Sequence, residues 1–266
     1  MTGTVYLVGA GPGAADLLTL RAARLLERAD VVFHDALVSP EILSLAGKAI
    51  RIEVGKRSGR LSTAQRFINK QLADAAGKYE TVVRLKGGDP MLFGRAHEEI
   101  SFLKKKNIPC SIVPGVTAAL AASAELAVSL TRRGLARSVV FLTPRRAEGE
   151  RPNAWARAAL AADTVALYMG AGEAEAISRA LIAAGKPAST PVVVIENASL
   201  ARCRRFHGAL KNLARIAAQG SGGPMLILLG EVYRESAIIA AWREAQSSSS
   251  RTARATRTGR ARSGSS

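Results

Sequence analysis

TVYLVGAGPGAADLL, residues 4–18, joins an apolar β-type run to a glycine-rich turn and then to the start of a helical pattern. Thr4–Val8 is short, β-branched and almost continuously apolar, which suits a strand buried on both faces. Glycines at 9, 11 and 13 let the backbone take positive φ and approach a ligand closely. Gly9, Gly11 and Ala14 satisfy the G-x-G-x-x-G/A spacing of a dinucleotide-binding turn. Asp35, at the end of the next apolar run, stands where a ribose-binding acid would stand. Taken alone, this segment is open to three readings: a nucleotide-dependent oxidoreductase, another nucleoside-bearing ligand, or a tight turn with no ligand.

Outward from that turn, apolar β-type runs alternate with Ala/Leu-rich helical stretches. Strands are expected at Thr4–Val8, Val31–His34, Ile50–Val54, Thr81–Leu85 and Ser111–Val113. A second set is expected at Ser138–Leu142, Thr164–Tyr168, Val192–Ile195, Arg204–His207 and Met225–Leu229. Between them fall helices such as Leu17–Arg28, with Asp16 as N-cap, and Thr63–Ala76, with Ser62 as N-cap. This alternation reads as an α/β protein with largely parallel sheet. Ten strands are generous for one sheet, so two α/β domains are expected, 1–114 and 115–243, joined near Pro114–Thr117. The stretch 244–266 collapses into Ser, Arg, Thr, Ala and Gly and is expected to be a disordered basic tail.

Three further motifs carry chemistry. Arg84-Leu85-Lys86-Gly87-Gly88-Asp89-Pro90 ends the fourth strand, on the edge of the sheet where open α/β folds bind ligands. Gly87 and Gly88 clear space there, and Asp89 supplies an acceptor for an amino group or a ribose hydroxyl; a purely structural turn is the competing reading. Pro114-Gly115-Val116-Thr117-Ala118 places small residues at a helix start, which serves either ligand approach or close helix packing. Cationic pairs at Lys56-Arg57, Arg132-Arg133, Arg145-Arg146 and Arg204-Arg205, with Arg95 and Arg202, suit carboxylates or phosphates. Of these, Arg95 and Arg133 stand beside other motifs.

The net charge is +17, of which Ser247–Ser266 carries +5, so +12 resides in the body of the chain. A polyanionic partner follows, or an Arg-rich compositional habit. A nucleic-acid binder would account for the charge but not for the glycine loops, and an aromatic stacking platform is missing. No apolar stretch is long enough to span a bilayer, and no charged-then-apolar leader precedes Val5, so a cytoplasmic protein without membrane attachment is expected. Cys110 and Cys203 have no metal or redox spacing, and His34, His97 and His207 form no ligand pattern, so no metal is expected.

The runs VYLVGAGPGAADLLTLRA, ADVVFHDALVS, VVRLKGGDPMLFGRAHEE, VPGVTAALAA, SLTRRGLARSVVFLT, ALYMG and TPVVVIENAS occur in this order between Val5 and Glu235. Together they resemble the tetrapyrrole methylase family, in particular its branch that C-methylates uroporphyrinogen III. The resemblance implies two α/β domains with S-adenosylmethionine in the cleft between them, S-adenosylhomocysteine as product, and a homodimer. It implies methylation at carbons 2 and 7 to give precorrin-2 for sirohaem or cobalamin, with no nucleic acid or membrane partner. Residue by residue, it assigns Gly11, Pro12, Gly13, Gly87, Gly88, Asp89, Thr117, Ala118, Met169 and Ala198 to the donor. It assigns Asp35, Arg95, Glu98 and Arg133 to the tetrapyrrole and its chemistry. His34 stands for a common Tyr, His97 for a small residue and Leu61 for a frequent His, which bears on substrate positioning. A form of the enzyme without a fused dehydrogenase/ferrochelatase module is expected. A ribosomal-RNA methylase of this fold would carry a different first loop, and a methylase of later corrin intermediates is the nearer alternative.

Overall fold

The computed structural model describes residues 2–54, 61–145 and 154–235. By contact density the chain forms two units: one from Met1–Glu125 with Asn197–Cys203, the other from Leu126–Glu196 with the stretch after Arg204. The junction expected at Pro114–Thr117 therefore falls inside unit one, ahead of its last helix.

Unit one contains β1 (Thr4–Gly9), α1 (Leu20–Glu27), β2 (Val31–His34), α2 (Pro40–Ser44), β3 (Ile50–Glu53), α3 (Leu61–Ala76), β4 (Thr81–Lys86), α4 (Ala96–Lys105), β5 (Cys110–Val113) and α5 (Ala118–Leu126). Its sheet is parallel throughout, in the order β3-β2-β4-β1-β5. The two-residue period of a strand divides its side chains between two cores. Val8, Val32, Val83 and Leu85 pack with Leu25, Leu26 and Ile42 of α1 and α2. Val5, Leu7, Val31, Phe33 and Val82 pack with Ile68 and Leu72 of α3 and Leu103 of α4. Each such side chain contributes roughly 1.5–3 kcal/mol by leaving water, which makes this sheet a rigid platform for the loops at its edge.

The connections differ in side. The chain leaves β1 toward α1 on one face of the sheet and leaves β4 toward α4 on the other. Since β1 and β4 are neighbours, their loops part at a topological switch point, where open parallel sheets form a crevice.

Unit two contains β6 (Val139–Leu142), α6 (Trp155–Ala161), β7 (Thr164–Tyr168), α7 (Ala174–Ala183), β8 (Pro191–Glu196), β9 (Arg204–Ala209), α8 (Leu213–Ala217) and β10 (Met225–Gly230). The order is β6-β7-β10-β8-β9. Only β6 and β7 run parallel; the β7–β10, β10–β8 and β8–β9 pairs are antiparallel, against the expectation of mainly parallel sheet. The reason lies in the connection after β8: residues 197–203 are too few for the crossover that parallel neighbours need. Its core is built on Val165, Leu167, Val192, Val194, Ile227 and Leu229 with Ile177, Leu181, Leu213 and Ile216.

All ten expected strands are present, within a residue or two of their expected ends. Two helix starts differ. Asp16 lies in a 3-10 turn, and α1 is capped instead by Thr19, whose hydroxyl accepts the Ala22 N–H at 3.2 Å. The chain turns at Leu18 before the helix, so Asp16 is too early to reach its free N–H groups. Ser62 lies inside α3, which begins at Leu61. Lys56, Arg57, Arg146 and the stretch 244–266 lie outside the described residues.

Candidate functional site

The three glycine-bearing motifs follow β1, β4 and β5, which are adjacent in the sheet, so their loops meet at one edge. Gly11 and Gly88 form a two-way backbone bridge: Gly88 N–H donates to Gly11 O at 2.7 Å, and Gly11 N–H to Gly88 O at 3.1 Å. Both have positive φ, +71° and +67°, a conformation that an L side chain resists. Gly115 closes the group, since a Cβ there would stand 2.3 Å from Gly88 O and 2.8 Å from Gly9 Cα. Asp89 fastens it. Its Oδ2 accepts the Gly115 N–H at 2.9 Å and its Oδ1 the Met91 N–H at 2.8 Å.

The other side of these loops is open. A Cβ on Gly88 would meet nothing within 4 Å, and one on Gly87 only Leu37 Cβ at 4.0 Å. Glycine is thus required at 9 and 115 by neighbouring backbone, while at 87 it leaves room. Such a cradle of bare backbone fits a nucleoside-bearing ligand.

The first loop is also held from residues 197–203. Ala14 N–H donates to Ser199 Oγ at 3.1 Å, and Leu200 stands 3.0 Å from where a Gly13 Cβ would be. Ala198 is buried in this segment. A cavity of about 450 Å³ lies nearby, lined by Asp16, Leu17, Val116, Leu120, Glu125 and Ser199 among others. Thr117 and Ala118 are half-buried at the start of α5. Pro12 is half-buried as well.

The polar candidates of unit one stand around the same edge. Asp35 follows β2, is 31% exposed on its side chain, and forms an ion pair with the buried Arg84 of β4. Arg95 enters α4 with φ +55° and grips Glu98 with two hydrogen bonds, Nε to Oε1 at 2.6 Å and Nη2 to Oε2 at 2.8 Å. This bidentate bond, ahead of the surrounding charges, holds the Glu98 carboxyl below the usual carboxylate range. His34 is buried, its Nδ1 3.2 Å from Asp35 O. The sheet edge therefore brings together Gly11–Gly13, Gly87–Asp89, Thr117, Ala118, Ala198, Asp35, Arg95 and Glu98 in one unit.

Met169 and Arg133 belong to unit two. Met169 follows β7 with φ +56° and is 47% exposed. Arg133 is exposed in the turn closed by the Arg132 N–H to Ala136 O bond at 2.9 Å.

The sequence motif that contains Arg84 and Lys86 gave neither a role and left out Glu99 and Gln65, with which they form a buried charged cluster directly behind Asp35. A signal for it existed: in the strand Thr81–Lys86 the cations at 84 and 86 fall on one face, and buried cations require a buried anion.

Among the described residues, no group of three potential metal ligands occurs and no helix is long and apolar enough to cross a membrane.

Comparison with known proteins agrees with this geometry. Residues 4–214 match the family model described as tetrapyrrole (corrin/porphyrin) methylases. The chain is 44% identical to siroheme synthase 2 of Aeromonas hydrophila and 46% to siroheme synthase 1 of Cronobacter sakazakii, over 86% and 87% of its own length. It spans 49% of the length of each of those curated relatives. Among solved structures, a uroporphyrin-III C-methyltransferase from Thermus thermophilus complexed with S-adenosylhomocysteine is 39% identical, with a TM-score of 0.77 and coverage of 87% of this chain and 99% of that one. A cobalt precorrin-4 methyltransferase of cobalamin biosynthesis is similar at 27% identity and a TM-score of 0.71. With its glycine loops bridged at the switch point of a parallel sheet, and with this extent of match, the chain belongs to the tetrapyrrole methylase family.

Proposed function

We propose that this chain transfers methyl groups from S-adenosylmethionine to carbons 2 and 7 of uroporphyrinogen III, giving precorrin-2 and S-adenosylhomocysteine. The observation that carries the reading is the bridged Gly11–Gly88 cradle with an open face at Gly87 and Gly88. The 39% identity to a uroporphyrin-III C-methyltransferase across 99% of that chain supports the same reading. Gly11–Gly13, Gly87–Asp89, Thr117, Ala118 and Ala198 hold the donor, with Met169 as a further donor residue. The bound donor supplies an activated sulfonium methyl.

The protein's own part is alignment and charge. Orienting two bound reactants can be worth about 7–11 kcal/mol of barrier when the geometry is ideal. Arg95 and Arg133 are exposed guanidinium groups that suit the carboxylates of a uroporphyrinogen. Asp35 serves the acceptor side, and Arg95 with Glu98 assists or orients the loss of the proton that the methylated pyrrole must give up. The +12 charge of the body favours a polycarboxylate client. The chain acts as a homodimer in a reducing cytoplasm. Both cysteines are unbridged, and burial pushes the Cys110 thiol up to about 11, which leaves it unreactive.

The deciding experiment incubates purified protein with labelled S-adenosylmethionine and freshly prepared uroporphyrinogen III without oxygen. Label is expected in a doubly methylated tetrapyrrole. Label appearing only when a later corrin intermediate is supplied would overturn the assignment of substrate.

A further inference from the structure

Arg84 and Lys86 occupy alternate positions of β4 and face α3 and α4 with 3% and 4% of their side chains exposed. Glu99 of α4 is fully buried between them. Its Oε1 lies 3.2 Å from Arg84 Nε, 3.1 Å from Lys86 Nζ and 3.1 Å from Gln65 Nε2; its Oε2 lies 3.1 Å from Lys86 Nζ. Gln65 is itself held by Asn69 at 3.0 Å. Three nitrogens of the Arg84 fork are thereby allotted: Nε to Glu99, Nη1 to Leu85 O at 3.1 Å, and Nη2 to Asp35.

The direction of this chain of bonds is informative. An ion pair serving packing alone would be complete with Glu99 and one cation. Here the fork is held from the core side, and its outer nitrogen ends on a half-exposed carboxylate at the ligand-bearing edge. An arginine held at only one nitrogen turns about its side-chain bonds, whereas one held at three cannot. Burial first, and the Arg84 charge second, pull Lys86 below the ordinary lysine range against Glu99 and Asp35.

We propose that Glu99 is a positioning residue: it locks the Arg84 guanidinium from behind so that Arg84 orients the Asp35 carboxylate toward the tetrapyrrole. The idea rests on the function proposed above, in which Asp35 serves the acceptor.

Glu99→Gln, Glu99→Asp and the double variant Glu99→Gln/Lys86→Met test it. Turnover is measured anaerobically with uroporphyrinogen III, donor-site integrity by calorimetric binding of S-adenosylhomocysteine, and fold by thermal melting. Glu99→Gln should lower kcat at least tenfold while KM for S-adenosylmethionine and Kd for S-adenosylhomocysteine stay within twofold. Glu99→Asp, which keeps the charge, should recover part of kcat. The double variant, with no unpaired charge, should melt closer to the wild type yet keep the low kcat. Recovery of turnover together with melting temperature would reduce Glu99 to charge balance and overturn the proposal, as would a wild-type kcat in Glu99→Gln.

A readout without substrate separates this from the functional assignment. The Arg84 Nε–H nuclear magnetic resonance signal, identified by its absence in Arg84→Lys, should exchange with solvent at least tenfold faster in Glu99→Gln. Unchanged exchange overturns the proposal. Absent turnover in a wild type that binds S-adenosylhomocysteine and shows the exchange difference would overturn the assigned substrate and leave the Glu99 lock standing.

Discussion

Asp89 Oδ2 accepts the backbone N–H of Gly115 at 2.9 Å, so the loop after β4 is tied to the loop after β5 by a single carboxylate. Its other oxygen closes the turn at Met91. The residue that sequence reasoning assigned to the donor therefore also builds the cradle. Asp89→Asn replaces one acceptor by a donor facing an N–H. Leaving one partly buried N–H unsatisfied costs about 1–3 kcal/mol. Urea unfolding should show that loss, and calorimetry should show S-adenosylhomocysteine bound roughly tenfold or more weakly, the factor that corresponds to about 1.4 kcal/mol.

Gly115 and Gly87 separate the structural from the ligand-facing use of glycine. A methyl group on Gly115 would press on Gly88 O and Gly9 Cα, both backbone that cannot move aside without breaking the cradle. Gly115→Ala should lose about 1–3 kcal/mol or more, as over-packed sites do. Gly87→Ala meets only ordinary contact distance and should stay within about 1 kcal/mol of the parent, near the range of ordinary surface changes. Its expected effect is on S-adenosylhomocysteine affinity, read by calorimetry. Equal destabilisation by the two changes would contradict the distinction.

Arg95→Ala and Arg133→Ala are expected to impair turnover far more than donor binding. A guanidinium is repelled by a sulfonium and attracted by carboxylates, so a role toward the acceptor is the one these variants test. Charge-assisted hydrogen bonds between a guanidinium and carboxylates are roughly twice as strong as neutral ones. Anaerobic kinetics should therefore show at least a tenfold loss in kcat/KM for uroporphyrinogen, with S-adenosylhomocysteine affinity nearly unchanged. Arg95→Ala also releases Glu98, whose carboxyl should return toward its ordinary range in an NMR titration.

Glu196 gives a pH prediction confined to unit two. Its buried carboxylate accepts the Ser221 N–H at 2.8 Å and the Gly223 N–H at 2.7 Å, with Arg204 at 3.5 Å. Burial alone would push its pKa up, but those donors outweigh it and the net shift is downward. A carboxyl lowered in the folded state contributes stability above its unfolded value and loses it as pH falls through the folded one. Between about pH 5 and 3, spanning the ordinary glutamate range, Glu196→Gln should show a shallower fall in stability than the parent. Parallel curves would mean that Glu196 does not carry this part of the acid sensitivity.

The strands and the glycine loops were legible in the sequence because each is a local statement. An apolar β-branched run such as Thr4–Val8 needs both faces buried wherever it lies, and Gly11 or Gly88 announces a positive φ without reference to any neighbour. The order of strands was not local. That β4 lies beside β1, and so puts Gly88 against Gly11, follows from how two crossover connections pack on opposite faces of the sheet. The cap of α1 passed to Thr19 because a 3-10 turn intervened, and unit two became mainly antiparallel because residues 197–203 leave no room for a crossover. Residue types announced glycine-rich turns at the strand ends and a strong excess of positive charge. Only tertiary structure decided that Asp89 is spent partly on Gly115, and that Asp35 is reached from the core through Arg84 and Glu99, since partners far apart in sequence are chosen by packing and by the need to pair every buried charge.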